Sequence, residues 1–297
     1  ILPVLLSSTI YNVIGFVDNG IYKHISYAQG YHSDDIDVWW GVFTGKYKLL
    51  VNVPISIASA MAASSVPALT AAYQKKDMAD VKAKMKSAIR FVMIIAFPSA
   101  LGLAVLAKPI LLLLFPSTAS TVDAASTMMF WGSITVVFTS LSTLTNGLLQ
   151  GINRMKVPVI NALIALVLHA ILLAVLMLVF RLNIYAVVIS NVAFALIMCF
   201  LNQLGLRRYS GYRQEWIKTF FVPGICSLIM GVVTFLVYEG LYALLHQNVI
   251  SVLVAILMAV ITYGISMLLM GGLTEEELCR FPKGTLLIKI FKKMHLL

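Results

Sequence analysis

The sequence predicts an all-α fold: a polytopic membrane protein with eight transmembrane helices. Three observations carry this. The 297 residues are 60% hydrophobic and only 11% charged, with a mean hydropathy of +0.94; a soluble domain of this length does not look like that. The apolar residues fall into eight runs, each near the ~20 residues a helix needs to cross the hydrocarbon core. The loops between runs are alternately rich and poor in cations, the pattern of the positive-inside rule. The formal net charge of +10 therefore belongs to topology rather than to a nucleic-acid partner.

The first run covers Ile1 to Tyr22. The chain begins inside it, at Ile1-Leu2-Pro3, with no Met, basic n-region or cleavage site. The expectation is a fragment whose N-terminal part is missing. Asp18 is the outstanding residue of this run. Ser7, Tyr11 and Asp18 share a helix face, with Ser8, Asn12 and Asn19 on the adjoining row. A carboxylate near the bilayer centre costs at least ~2.5–3.5 kcal/mol. Two readings stand: a cation or proton site, or a carboxylate hydrated by headgroups at the outer end.

The second run, Gly41 to Tyr73, is the one around which the chain is organised. It carries Lys46, Lys48, Pro54 and Pro67, and between the prolines almost every residue is small. Small residues let helix backbones approach closely in lipid. Proline removes a backbone donor and is tolerated where neighbours or a cavity satisfy the freed groups. At ~100° per residue, Lys48, Asn52, Ser56 and Ser59 fall in one sector and Lys46 on the opposite side. The element is expected to pack tightly and bend. Its polar stripe is either a snorkelling lysine beside a packing seam, or the wall of a solvated cavity that holds an anion.

The remaining runs cover Ile89–Ala107, Ala124–Gly151, Val157–Phe180, Ile184–Leu206, Ile217–Tyr238 and Val249–Met270. The fourth has a second stripe: Thr135, Thr139, Ser142, Asn146 and Gln150. The fifth offers Asn161 and His169, the latter read as a hydrogen-bonded packing residue, and the sixth Ser190 and Asn191. The last two are poor in polar groups and are expected at the periphery. Loop cations cluster in Gln74–Arg90, at Arg154 and Lys156, in Arg207–Lys218 and in the tail, which puts both ends in the cytoplasm. Asp77–Arg90 reads as a basic amphipathic helix lying on anionic membrane lipids. A cytoplasmic amphipathic tail is expected over 271–297. The three cysteines, Cys199, Cys226 and Cys279, have neither metal nor disulfide spacing. No Gly-rich phosphate loop, Cys/His cluster or nucleophile set points to an enzyme.

Four stretches carry a resemblance: Leu49–Tyr73 with Val-Pro at 53–54 and 66–67, Phe97–Pro116, Asn146–Ile164 with Leu-Gln-Gly at 149–151, and the ending Gly272–Leu297. Together they resemble the polysaccharide-exporter branch of the multidrug/oligosaccharidyl-lipid/polysaccharide (MATE/MOP-like) superfamily, the branch of stage V sporulation protein B and the bacterial lipid II flippases. That fold has fourteen spans in two six-span lobes around a central cavity, followed by two extra spans. The resemblance implies that this chain is the second lobe over 1–206, two peripheral helices over 207–270 and the tail. The missing N-terminal lobe is then a partner.

The resemblance further implies a flippase for an undecaprenyl-linked sugar pyrophosphate, lipid II or a related lipid-linked oligosaccharide, working by alternating access. Lys48, Asn52, Ser56, Asn146 and Gln150 are the candidate substrate-binding residues, suited to an anionic, sugar-bearing headgroup. No cofactor is expected beyond a coupling Na+ or H+, with Asp18, Asn161 and Ser190 as candidate ion-binding residues. Asp18 matches an aspartate that the family uses for sodium, while Ala165 stands where a second acid is expected. Two other readings remain: a cation-coupled multidrug exporter, which wants carboxylates in both lobes, and a non-transporting membrane scaffold, whose stripes only pack helices.

Overall fold

The computed structural model describes residues 2–116 and 121–272, with side chains from residue 13 onward. The expected tail beyond Gly272, Cys279 and the side chains of Ser7, Ser8, Tyr11 and Asn12 lie outside the described residues. No strand occurs among the described residues. The helices are α1 (Leu2–Ala28), α2 (Ser33–Val42), α3 (Lys48–Gln74), α4 (Met78–Val105), α5 (Ala107–Leu114), α6 (Val122–Gly132), α7 (Thr135–Gly151), α8 (Lys156–Leu178), α9 (Ile184–Ser210), α10 (Val222–Leu245) and α11 (Asn248–Leu269). Six helical stretches among the described residues are long and apolar enough to cross a membrane, or seven if the bent α6–α7 pair is one span. The expected first span, α1, is a 27-residue helix that is not one of these.

The elements differ from the expected spans in three places. Ser33–Gln74 is one run, because a π-helical turn over Phe43–Tyr47 joins α2 to α3. The acidic stretch before the second span is thus helical, with Asp34 and Asp35 in the first turn of α2, where the helix dipole favours them. The basic segment from Asp77 to Arg90 is not a separate surface helix. It is the start of α4, capped by the Asp77 carboxylate accepting from the Asp80 N–H at 3.0 Å. Nothing breaks the ladder between this segment and the span, and Arg90 is buried. Finally, the fourth run is broken: α6 and α7 meet at 49°. By contrast, α3 continues through both Pro54 and Pro67.

Residues up to Gln214 form one compact unit. In it α3 packs on α4 and α7, α7 on α9, α9 on α8, and α1 on α8. The small residues of α3 allow a close approach to α7. Ala58 and Ala62 are buried, and a Cβ built on Gly147 of α7 would stand only 3.0 Å from the Ala62 Cβ. One face of α8 exposes Ile160, Leu163, Ile164, Val167 and Ile171, while Asn161, Ala165 and His169 are buried. Apolar outside and polar inside is the arrangement lipid requires.

Residues from Glu215 form the second unit, so the division falls after α9 rather than at Leu206. Here α10 and α11 pack on each other across a short connection at His246-Gln247. The hydroxyls of Ser227, Thr234 and Ser251 donate to the carbonyls one turn earlier at 2.7–2.8 Å. Such bonds let hydroxyls sit in an apolar hairpin without an outside partner.

Candidate functional site

A cavity of about 820 Å³ opens in the first unit, walled by α1, α3, α7, α9 and the π turn. Its polar lining comes chiefly from α3 and α7, and no carboxylate is part of it among the described residues. Lys48 faces this space, half-buried, with its Nζ 5.7 Å from the centre of the Phe43 ring. No acidic group pairs with it among the described residues. A cation held against an aromatic ring beside a concave, hydroxyl- and amide-lined space is a ready anion receptor.

Of the expected substrate residues, Lys48, Asn52, Asn146 and Gln150 come together on the cavity. Ser56 does not. It is exposed away from the cavity, and its hydroxyl donates to the Val53 carbonyl at 2.6 Å. The reason is helical drift: at ~100° per residue Ser56 has turned ~80° from Lys48, whereas Ser59 has turned only ~20°. Ser59 accordingly lines the cavity. Opposite, α7 supplies Thr135, Thr139, Ser142 and Thr143. Where α7 begins, the Tyr47 hydroxyl donates to the Gly132 carbonyl at 3.0 Å, satisfying a group freed by the break after α6.

Asp18 is fully buried where α1, α8 and α9 meet, not hydrated at a membrane surface. One carboxylate oxygen lies 2.6 Å from His169 Nε2. The other accepts from Asn191 Nδ2 at 2.9 Å, and Asn191 in turn lines the cavity. His169 Nδ1 lies 2.9 Å from the Ser190 carbonyl. A carbonyl can only accept, so Nδ1 carries a proton. Nε2 then faces the carboxylate with its lone pair or with a second proton. Two lone pairs at 2.6 Å would repel, so one proton lies between Asp18 and His169. The pair is neutral overall, either as two neutral groups or as carboxylate and imidazolium.

The expected ion residues are therefore placed apart. Asn161 donates to Asn202 Oδ1 at 2.9 Å and does not meet Asp18. The Ser190 hydroxyl donates to the Val187 carbonyl at 3.0 Å, and only its carbonyl reaches the His169 ring. Ala165 sits in an apolar cluster with Ile14, Ala162, Phe194 and Met198. A sodium ion needs several oxygens converging on one point, and the carboxylate oxygens of Asp18 instead meet an imidazole nitrogen and an amide N–H. This donor set does not fit sodium; it fits one proton. Among the described residues no cluster of three or more His, Cys, Asp or Glu could hold a metal ion. His169, read from the sequence as a hydrogen-bonded packing residue, is buried and hydrogen-bonded, and the partner that the sequence does not reveal is the Asp18 carboxylate.

Residues 48–274 match the family model of the lipid II flippase MurJ. The chain is 21% identical over 230 residues to the lipid II flippase MurJ of Bacillus subtilis (strain 168), a match covering 76% of this chain and 41% of that protein. It is 27% identical over 224 residues to the probable lipid II flippase MurJ of Bdellovibrio bacteriovorus, covering 72% of this chain and 42% of that one. A solved structure of lipid II flippase MurJ in an inward closed conformation has a TM-score of 0.68 at 17% identity, covering 89% of this chain and 52% of the other. That likeness is one of fold. The chain thus spans less than half the length of both curated relatives. With the family model matching most of its residues, the chain belongs to the MurJ lipid II flippase family, a family of multi-pass bacterial membrane transporters rather than enzymes.

Proposed function

We propose that this chain forms one lobe of a flippase that moves an undecaprenyl-linked cell-wall precursor, lipid II or a related lipid-linked oligosaccharide, across the cytoplasmic membrane by alternating access. The observation that carries the reading is Lys48, an acid-free cation on a cavity lined by amides and hydroxyls. A pyrophosphate seeks such a cation, and a sugar seeks the Asn52, Asn146 and Gln150 amides around it. A multidrug exporter for cationic drugs would need carboxylates on this wall, and the described lining has none. A missing N-terminal lobe closes the open side of the cavity. Both ends of the chain face the cytoplasm, where the basic start of α4 meets anionic lipids.

Transport is coupled to an ion at Asp18, and its partners favour H+ over Na+. The test of substrate class is Lys48→Ala in the full-length protein. A charge-assisted hydrogen bond contributes ~1.5–3 kcal/mol, so lipid-linked substrate should bind about ten- to hundredfold more weakly. Flipping in reconstituted vesicles should fall with it while expression persists. Normal flipping by the variant would remove Lys48 from the site.

A further inference from the structure

Asn191 of α9 stands between the buried Asp18–His169 pair and the cavity. Its Nδ2 donates to Asp18 Oδ2 at 2.9 Å and to the Val187 carbonyl at 2.9 Å. Asp18 is fully buried, whereas Asn191 is half-buried and lines the cavity. The Asn191 oxygen has no hydrogen-bond partner among the described residues.

The two partners fix which end of the amide is which. An amide can be turned end for end unless a neighbour forbids it. The Val187 carbonyl forbids it, because it can only accept. The proton shared by Asp18 and His169 lies between Oδ1 and Nε2, so Asp18 Oδ2 also only accepts. Turned over, Asn191 would set its oxygen against two acceptors. Both of its N–H groups are therefore engaged inside the protein, and the oxygen is the end left for the cavity. The rest of the lining from α1 and α9 is Ile14, Gly15, Phe194 and Ala195. Among the described residues Asn191 is thus the one polar side chain that these two helices bring to the cavity. Lys48 enters the same space from α3.

We propose that Asn191 is a substrate-binding residue that accepts a hydrogen bond from a neutral donor, a hydroxyl of the sugar headgroup. An amide oxygen on an apolar wall calls for a donor. The ammonium of Lys48 in the same cavity opposes a second cation, so that donor is uncharged. Asp18 acts through Asn191 and is a positioning residue. The anion and the sugar of one headgroup are then met by different helices, α3 and α9. The sugar as ligand rests on the flippase reading above. The direction of the amide does not.

The test uses the full-length protein in detergent and two probes, farnesyl pyrophosphate and the same molecule carrying glucose on its outer phosphate. The natural protein should bind the glucosyl probe more tightly. A neutral hydrogen bond is a factor of about two to ten in affinity. Asn191→Leu should weaken the glucosyl probe by that factor and leave farnesyl pyrophosphate unchanged. Equal weakening of both probes means that Asn191 only supports the packing around Asp18. Unchanged binding of both means that its oxygen meets no ligand. Either result overturns the proposal. If the natural protein binds farnesyl pyrophosphate and gains nothing from the glucose, the proposal fails while the flippase reading stands; if it binds neither probe, both fail. Should Asn191→Leu not fold, Asn191→Thr carries the comparison with the same opposing outcomes. A threonine hydroxyl there can bond the Val187 carbonyl four residues back, as those of Thr234 and Ser251 bond theirs, and so withdraws from the cavity.

Discussion

Replacing Asp18 with alanine should cost the folded protein about 3–5 kcal/mol, the range for breaking a buried pair by removing one partner. Its carboxylate meets two partners at once, the buried His169 Nε2 at 2.6 Å and Asn191 Nδ2 at 2.9 Å. Alanine leaves His169 Nε2 without a partner in a place water does not reach, while Asn191 Nδ2 keeps its bond to the Val187 carbonyl at 2.9 Å. His169 cannot adapt by turning over, because its Nδ1 proton is engaged by the Ser190 carbonyl. Asp18→Asn should behave quite differently. An asparagine can donate its NH2 to a bare Nε2 and accept from Asn191 with its oxygen, so every group keeps a partner. What it loses is the shared proton. The expected result is a large fall in the thermal midpoint for Asp18→Ala, a midpoint near that of the natural protein for Asp18→Asn, and loss of the pH dependence of transport in both. An alanine variant destabilised by less than about 1 kcal/mol would mean that the pair does not hold α1 to α8 and α9.

Gly132→Ala should cost about 1–3 kcal/mol, as overpacking of a filled site does. A Cβ on Gly132 would lie 2.5 Å from atoms of the Tyr47 ring. That ring is buried between the π turn and the α6–α7 break, with its hydroxyl on the Gly132 carbonyl. To yield, the ring must leave the Gly132 carbonyl that its hydroxyl holds at 3.0 Å. In the Gly132→Ala background, Tyr47→Phe should therefore add little, because the hydrogen bond it removes is already lost. The check is a double-mutant cycle on the thermal midpoint in detergent micelles. Additive costs would show that the ring moves aside freely and that the tyrosine does not brace the break.

Much of this molecule is legible in its residue order. The helices announce themselves by apolar runs, and the faces of α3 and α7 that meet the cavity follow from period 3.6. Lys48 with Asn52, and Asn146 with Gln150, are placed by spacing alone. Spacing is less reliable over two turns, which is why Ser59 and not Ser56 reaches the cavity. Prolines do not mark the irregular turn. Pro54 and Pro67 leave α3 continuous, while the irregular turn arises at Phe43–Tyr47, which contains no proline. There the rings of Trp40, Phe43 and Tyr47 stack at centroid separations of 5.4–5.5 Å. Spacing of three and four residues brings these rings together, but nothing in that spacing marks where the helix widens.

By itself, then, the sequence determined the membrane class, the helical elements, the family and which face of each helix is polar. Those depend on composition and on local periodicity, both of which act within one element. Only the tertiary structure decided which polar residues are partners. Asp18 and His169 are 151 positions apart, and Asn161 and Asn202 are 41 apart. Asp18, Asn161 and Ser190 make a plausible ion site as a set of residue types, yet packing turns Asn161 toward Asn202 and gives Asp18 an imidazole instead. In lipid, helices gain little from hiding apolar surface against one another, so their register is set by small-residue contacts and by buried hydrogen bonds. These are pairwise and directional interactions between elements, and a pattern along one element does not contain them.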